Sequence, residues 1–253
     1  MSLKFSIIIA TFNSAQTIQS CLKSVFDQDY NCWEIVIVDN CSTDGTIAIA
    51  KDVAHKYGVE KKVTYVIEPD DGIYDAFNKG IDESSGVFVH HLGSDDEYYS
   101  TETLRLINDL CIRFNPDYIC TTIHIYKNEK KVRVYKPYFY GDKVLRTAYM
   151  PPHPGMFIRK SILFDVGLYS THFRISSDYE LYLKLMYNDN LLRVNDSNVI
   201  SVKMQAGGAS QKHRMLAFKE DVRVLRKFTI SPIFTAVTKR VLKISQFAVL
   251  GKS

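Results

Sequence analysis

Residues 34–46 read EIVIVDNCSTDGT. An unbroken apolar run, Ile35 to Val38, stops on an acid and passes into a turn rich in Asn, Ser, Thr, Asp and Gly. Such a run belongs to a strand covered on both faces, since one wet face would impose alternation. Ile47, Ala50, Val53, Ala54 and Tyr57 then recur at helical spacing, and Gly58 closes the stripe. The same strand, turn and helix pattern repeats outward. Upstream, SIIIA (6–10) is a buried strand, Ser14 is an N-cap candidate, and Ile18, Cys21, Leu22, Val25 and Phe26 form a helical stripe. Downstream, VTYVI (63–67) leads through EPDDG to a short helix through Gly80, and VFVHHL (87–92) is a fourth strand. Alternation with short loops predicts right-handed crossovers and a mostly parallel central sheet with helices on both faces.

After residue 100 the alternation breaks. Ser100 heads a helix reaching about Phe114, segments 117–126 and 131–138 read as paired strands, and DYELYLKLMY (178–187) carries a helical stripe. The 253 residues suit one large α/β unit with 24% charged and 46% hydrophobic residues. We expect one domain over 1–222, with halves at about 1–100 and 101–222, and an appended tail over 223–253. That tail holds seven bases and no acid, which leaves residues 1–222 with 25 bases against 28 acids. An acidic body argues against nucleic acid as partner. Five cysteines without a C-x-x-C pair point to a reducing compartment, and no apolar run is long enough to span a bilayer. The sequence therefore reads as cytoplasmic.

In a sheet of this kind ligands bind beyond the carboxyl ends of the strands. The segments there are TFN (11–13), DNCSTD (39–44), EPDDG (68–72) and GSDDE (93–97), and they gather Asp39, Asp44, Glu68, Asp70, Asp71, Asp95 and Asp96. The dinucleotide fingerprint G-x-G-x-x-G, the P-loop and the G-x-S-x-G elbow are all missing from the sequence. Asp95 and Asp96 are adjacent carboxylates after an apolar strand, with no His or Cys beside them. Hard oxygen ligands of this type suit Mg²⁺ or Mn²⁺, with a bound diphosphate completing the shell. The bland alternative is a polar turn before the next helix.

The order SIIIATFN, EIVIVDNCSTDGT, EPDDGIYDAFNKG, LGSDDEY resembles family 2 glycosyltransferases with the nucleotide-binding GT-A fold. PHPGMFIRKSIL, DVGLYSTHFRISSDYELYLKL and GGAS extend the likeness into the acceptor-side half, so that it covers about residues 4–220. The resemblance implies an inverting, metal-dependent transfer of a single sugar from a nucleoside-diphosphate sugar, UDP-linked by preference, to a saccharide or lipid-linked saccharide. It places Ala10, Thr11, Phe12 and Asn13 along the nucleoside, with Asp39 and Asn40 at the base. It puts Asp70, Tyr74, Asp75, Asn78 and Lys79 under the donor, Asp95 on ribose or sugar, and Asp96 on the metal with His213 as a further candidate. Asp178 would be the general base and His153 would face the acceptor. Ser94 stands where the family's D-x-D element has its first Asp. Gln211 and Arg214 match the start of the Q-x-x-R-W motif of processive synthases, but Met215 replaces its Trp, so single-sugar transfer is expected.

Two rivals stay open. A sugar nucleotidyltransferase would need a Gly-rich, basic loop after the first strand, where this chain has ATFNSAQT. A catalytically degenerate nucleotide-sugar-binding subunit would not need Asp39, Asp96 and Asp178 together. The tail sets Ile233, Val237, Val241, Ile244 and Ala248 at helical spacing among its bases. It fits either an anionic membrane surface, on the inner face of the plasma membrane, or packing on the domain or on a second subunit of a homodimer.

Overall fold

The computed structural model describes residues 2–137, 150–207, 213–228, 231, 233 and 235–237. Strand β1 (Phe5–Thr11) pairs in parallel with β2 (Trp33–Asp39) on one side and with β4 (Phe88–His91) on the other, and β3 (Val63–Ile67) extends β2 in parallel. Between them run α1 (Ile18–Phe26), α2 (Thr46–Tyr57) and α3 (Ile73–Glu83), as the spacing predicts. Gly58 ends α2 in the left-handed conformation, φ 65°.

The second half departs from the expected parallel sheet. β4 is followed across the sheet by β8 (Met156–Arg159), then β6 (Tyr118–Lys127), β9 (Arg193–Gln205) and the two-residue β5 (Glu97–Tyr98). β8 is antiparallel to both β4 and β6, β5 is antiparallel to β9, and only β6 and β9 are parallel there. β7 (Lys130–Tyr135) folds back on β6 as a hairpin. The sheet is thus mixed rather than mostly parallel. One reason lies at that hairpin, where the chain returns at once without a crossover helix. Asn128 and Glu129, both at positive φ, make the tight turn.

Alternate residues of β1 feed two cores. Phe5, Ile7 and Ile9 pack with α1, α2 and α4 (Thr103–Phe114), whereas Ile8 packs with α3, α5 (Lys160–Val166), α6 (Ser177–Tyr187) and α7 (Arg214–Leu225). Burial on both faces explains the unbroken apolar run.

Two helix starts lie later than predicted. α1 begins at Ile18, after a turn in which the Ser14 carbonyl accepts from Thr17 and Ile18 while Thr46 and Asp44 take the N–H groups of Ser14 and Ala15. The Ser14 hydroxyl turns to Ser94, 2.9 Å away, and caps nothing. α4 begins at Thr103, whose Oγ1 accepts the Ser100 N–H. α7 crosses the expected boundary at residue 222, with Val224 and Leu225 fully buried. Of the tail stripe, Ile233 and Val237 are exposed, and Val241, Ile244 and Ala248 lie outside the described residues. Among the described residues no helix is long and apolar enough to cross a membrane.

Close approach of α3 to β1 rests on Gly80. A Cβ there would lie 2.4 Å from Ile8 Cγ2, with two further Ile8 carbons at 3.3 Å. Overpacking of this kind costs about 1–3 kcal/mol, against about 1 kcal/mol gained in helix propensity. Gly80→Ala should therefore lower unfolding free energy by about 1 kcal/mol in urea titration. A gain in stability would show that Ile8 yields freely.

Candidate active site

The loops after β1 and β2 are tied together at their roots. Thr11 and Asp39 are ladder partners, and Thr11 Oγ1 donates to Asp39 Oδ1 at 2.7 Å. Ser42 donates its hydroxyl to the same oxygen at 2.6 Å and its N–H to Oδ2 at 2.7 Å. Asp39 is fully buried, so three donors offset the desolvation of its carboxylate. Asn13, at φ 49°, donates its N–H to Ser42 Oγ and accepts from the Thr43 N–H. Asp44 accepts from Ala15 and twice from Thr46, and these bonds pull its carboxyl below the usual range. Asn40 donates its N–H to the Thr11 carbonyl and accepts from the Asp70 N–H. Of the residues expected along the nucleoside, Thr11, Asn13, Asp39 and Asn40 are therefore one knot. Ala10 is half-buried beside it, and Phe12 projects from it, 63% exposed.

The loop after β3 is held by Lys79. Its ammonium donates to the Pro69 carbonyl at 2.7 Å and lies 2.9 Å from Glu68 and 3.2 Å from Asp75. Asp70 accepts from Gly72 and Asp75 accepts from Asp71, so both shape the entry to α3. Burial raises the Asp70 pKa.

Asp95 and Asp96 face Gly93. A Cβ on Gly93 would sit 2.7 Å from Asp96 Oδ2 and 3.0 Å from Asp95 Oδ1, so two carboxylates converge on one small cradle that glycine leaves open. Asp96 accepts the Gln205 N–H at 2.9 Å, and burial followed by the charge of Asp95 pushes its pKa up to about 8. Two hard oxygens in a negative cradle fit Mg²⁺ or Mn²⁺ in kind. Among the described residues no group of three or more His, Cys, Asp or Glu is placed to hold a metal ion. A cation here would thus need oxygens from a ligand. His213 is exposed at the turn before α7 and joins no such group.

Asp178 lies in the first turn of α6. Its Oδ1 accepts from the Tyr179 N–H at 2.8 Å and lies 3.1 Å from the Tyr74 hydroxyl, which also lies 2.6 Å from the Ile175 carbonyl. Tyr74 is in the first turn of α3, so the two halves of the chain meet at this acid. The Tyr74 ring stacks on Tyr169 with centroids 5.7 Å apart. Asn78 fixes Tyr169 with a two-way amide bond, its Nδ2 donating to the carbonyl and its Oδ1 accepting the N–H. The Tyr169 hydroxyl lies 2.8 Å from His153 Nε2 and 3.2 Å from His91 Nδ1. Burial lowers the pKa of both histidines and raises that of Tyr169, so the cluster is a neutral one beside Asp178.

Tyr169 and His91 are absent from the sequence-based site. Tyr169 follows a helix-ending Gly and resembles packing. The His90–His91 pair inside an apolar strand was the available signal. His90 is a structural ring: its Nε2–H donates to the Pro154 carbonyl at 2.8 Å and its Nδ1 accepts from Tyr98, while it stacks on Phe157 at 4.0 Å.

The family description "Glycosyl transferase family 2" matches residues 6–175. A PGL/p-HBAD biosynthesis glycosyltransferase of Mycobacterium bovis (strain BCG / Pasteur 1173P2) is 28% identical over 222 residues, 81% of this chain and 78% of its own. A cholesterol galactosyltransferase of Borreliella burgdorferi is 30% identical over 167 residues, 64% of this chain and 42% of its own. In three dimensions the chain is similar to S. aureus TarS 1–349 in complex with UDP-GlcNAc, with TM-score 0.68, 20% identity, and 88% of this chain and 64% of that one covered. It is also similar to the mannosyltransferase PcManGT from Pyrobaculum calidifontis in complex with GDP-Man and Mn²⁺, with TM-score 0.68, 18% identity, and 99% and 74% covered. The architecture is that of a GT-A enzyme. The chain belongs to glycosyl transferase family 2 and is a glycosyltransferase.

Burial lowers the His90 pKa to about 3. The unfolded chain takes this proton near pH 6.5 and the folded chain does not, so the stability His90 lends above that pH is lost as pH falls toward about 3. Side-chain ¹⁵N NMR should show His90 neutral, protonated on Nε2, without titration between roughly pH 5 and 8. A midpoint near 6.5 would refute the buried tautomer.

Proposed function

We propose that this enzyme moves one sugar from a nucleoside-diphosphate sugar, UDP-linked by preference, to a hydroxyl of a saccharide or lipid-linked saccharide, with inversion at the anomeric carbon. The observation that carries the reading is Asp178, an acid on the acceptor-side half held against Tyr74 of the donor-side half. In this reading Asp178 takes the proton of the attacking hydroxyl. A carboxylate suffices because proton transfer is concerted with attack. His153, Tyr169 and His91 form an uncharged wall beside it. Tyr74 orients the carboxylate, and Asn78 and Lys79 hold the backbone of the acceptor side and the donor loop.

Asp39 serves first as the knot that shapes the nucleoside loops, with one lone pair left for a base N–H. Ala10, Thr11, Phe12, Asn13 and Asn40 line that side, and Asp70, Asp75 and Asp95 lie under the ribose and sugar. Asp96 is the residue assigned to Mn²⁺ or Mg²⁺, and such an ion would neutralise charge on the departing diphosphate. The relatives named for PGL/p-HBAD biosynthesis and as a cholesterol galactosyltransferase fit an acceptor carried on lipid, and cell-surface glycan assembly is the setting we assign.

Thermal unfolding with UDP, GDP, CDP or dTDP, each with and without Mn²⁺, tests the donor side. UDP with Mn²⁺ should raise Tm, because ligand binds only the folded chain. A UDP shift without turnover on any acceptor would favour the degenerate-subunit alternative, and no shift with any nucleotide would remove the donor site itself. Asp178→Asn should cut transfer about 10²- to 10⁴-fold while leaving the UDP shift intact. Near-normal turnover in that variant would remove Asp178 as base.

A further inference from the structure

The base sits two residues beyond a segment that another helix holds. Arg174, Ile175 and Ser176 immediately precede α6, and all three N–H groups point at one side chain, Glu220 of α7. The Arg174 N–H donates to Oε1 at 3.0 Å, and those of Ile175 and Ser176 donate to Oε2 at 2.8 and 3.1 Å. Glu220 is only 3% exposed. A carboxylate is tolerated at that depth when donors surround it, and charge-assisted bonds are the stronger kind. N–H groups at a helix start lack intrahelical partners, so a negative group there is favoured twice. Ser176, at the N-cap position of α6, makes no cap bond and turns its hydroxyl to Asp221 Oδ1 at 2.9 Å. One residue thus links two elements: the N–H of Ile175 is held by Glu220, and its carbonyl by Tyr74, whose hydroxyl also meets Asp178. Farther along α6, Glu180 is bonded to Lys227, just after α7.

We propose that Glu220 is a positioning residue for Asp178, holding residues 174–176 so that the first turn of α6 presents the carboxylate to the acceptor hydroxyl. This rests on the reading of Asp178 as general base. The geometry requires a carboxylate. One oxygen takes two N–H groups and the other takes one, whereas a carboxamide would set its own NH₂ against an N–H donor.

The test is a mutant cycle of Glu220→Gln, Asp178→Asn and the double variant. Each is assayed for nucleotide release from UDP-glucose, UDP-galactose, UDP-GlcNAc and GDP-mannose with water as acceptor, using the donor that the wild type turns over fastest. Glu220→Gln should lower kcat at least about tenfold with donor KM within about twofold. In the Asp178→Asn background it should lower the residual rate less than about twofold, since coupled residues are non-additive. Equal losses in both backgrounds, a loss confined to KM, or unchanged kcat would overturn the inference. If Glu220→Gln does not unfold cooperatively, Glu220→Asp, which keeps the charge on a shorter arm, takes its place under the same criteria. If Asp178→Asn keeps wild-type turnover, or the wild type turns over none of the donors, the base reading falls and Glu220 falls with it. If Asp178→Asn is impaired and Glu220→Gln is not, only the positioning role is lost.

Discussion

The buried carboxylate of Asp39 is the constraint on which the donor edge depends. It ends β2 opposite Thr11, with no solvent to satisfy it. Ionised and unpaired, it would be far too costly, so Thr11 and Ser42 must supply donors. Once Ser42 is fixed there, its hydroxyl oxygen is placed for the Asn13 N–H, and Asn13 can in turn accept from Thr43. Asn40 carries the tie to the loop after β3. Three loops that could each wander over several ångströms are thus drawn into one frame by an acid they surround.

Around that frame the charges are sorted. Asp95 and Asp96 converge where a glycine leaves room, at the cost of a raised Asp96 pKa. The acceptor side is the opposite: Tyr169, His91 and His153 are kept neutral by burial, and Asp178 stands at their edge. In the proposed transfer the acid pair would serve the leaving group and Asp178 the nucleophile.

Much of the first half was legible because both faces of its strands are buried. β1 to β3 read as apolar runs, and the helices between them as stripes, since the residues that define them are neighbours in sequence. Past residue 100 the pairings are set by partners far away. A two-residue strand such as β5 has no pattern of its own, and β8 reads as an apolar stretch whose direction only β4 and β6 decide. The starts of α1 and α4 are likewise set by side chains the stripes do not include: Thr46 and Asp44 take the N–H groups of Ser14 and Ala15, and Thr103 takes that of Ser100. Asp95 and Asp96 stood out as adjacent acids at a strand end, whereas Asp178 was marked by the family resemblance. Asp39 was visible too, but not its burial. Tyr169, His91 and Glu220 were hidden, because each matters through a residue 40 or more positions away: Asn78, Tyr169 and Arg174 respectively.

Among the described residues β9 is the last strand in sequence, yet it lies inside the sheet, between β6 and β5. Its final residue, Gln205, supplies the N–H that Asp96 accepts, 109 positions earlier in the chain. A chain growing from its N-terminus can assemble β1 to β4 from near neighbours, but it must carry Asp96 without that partner until residue 205 has emerged. Long-range pairing of this sort slows folding, because loop closure precedes any reward. The edge formed by the loops after β1 to β3 is therefore early in the order of assembly, and the Asp95–Asp96 pair is among the last features to be completed.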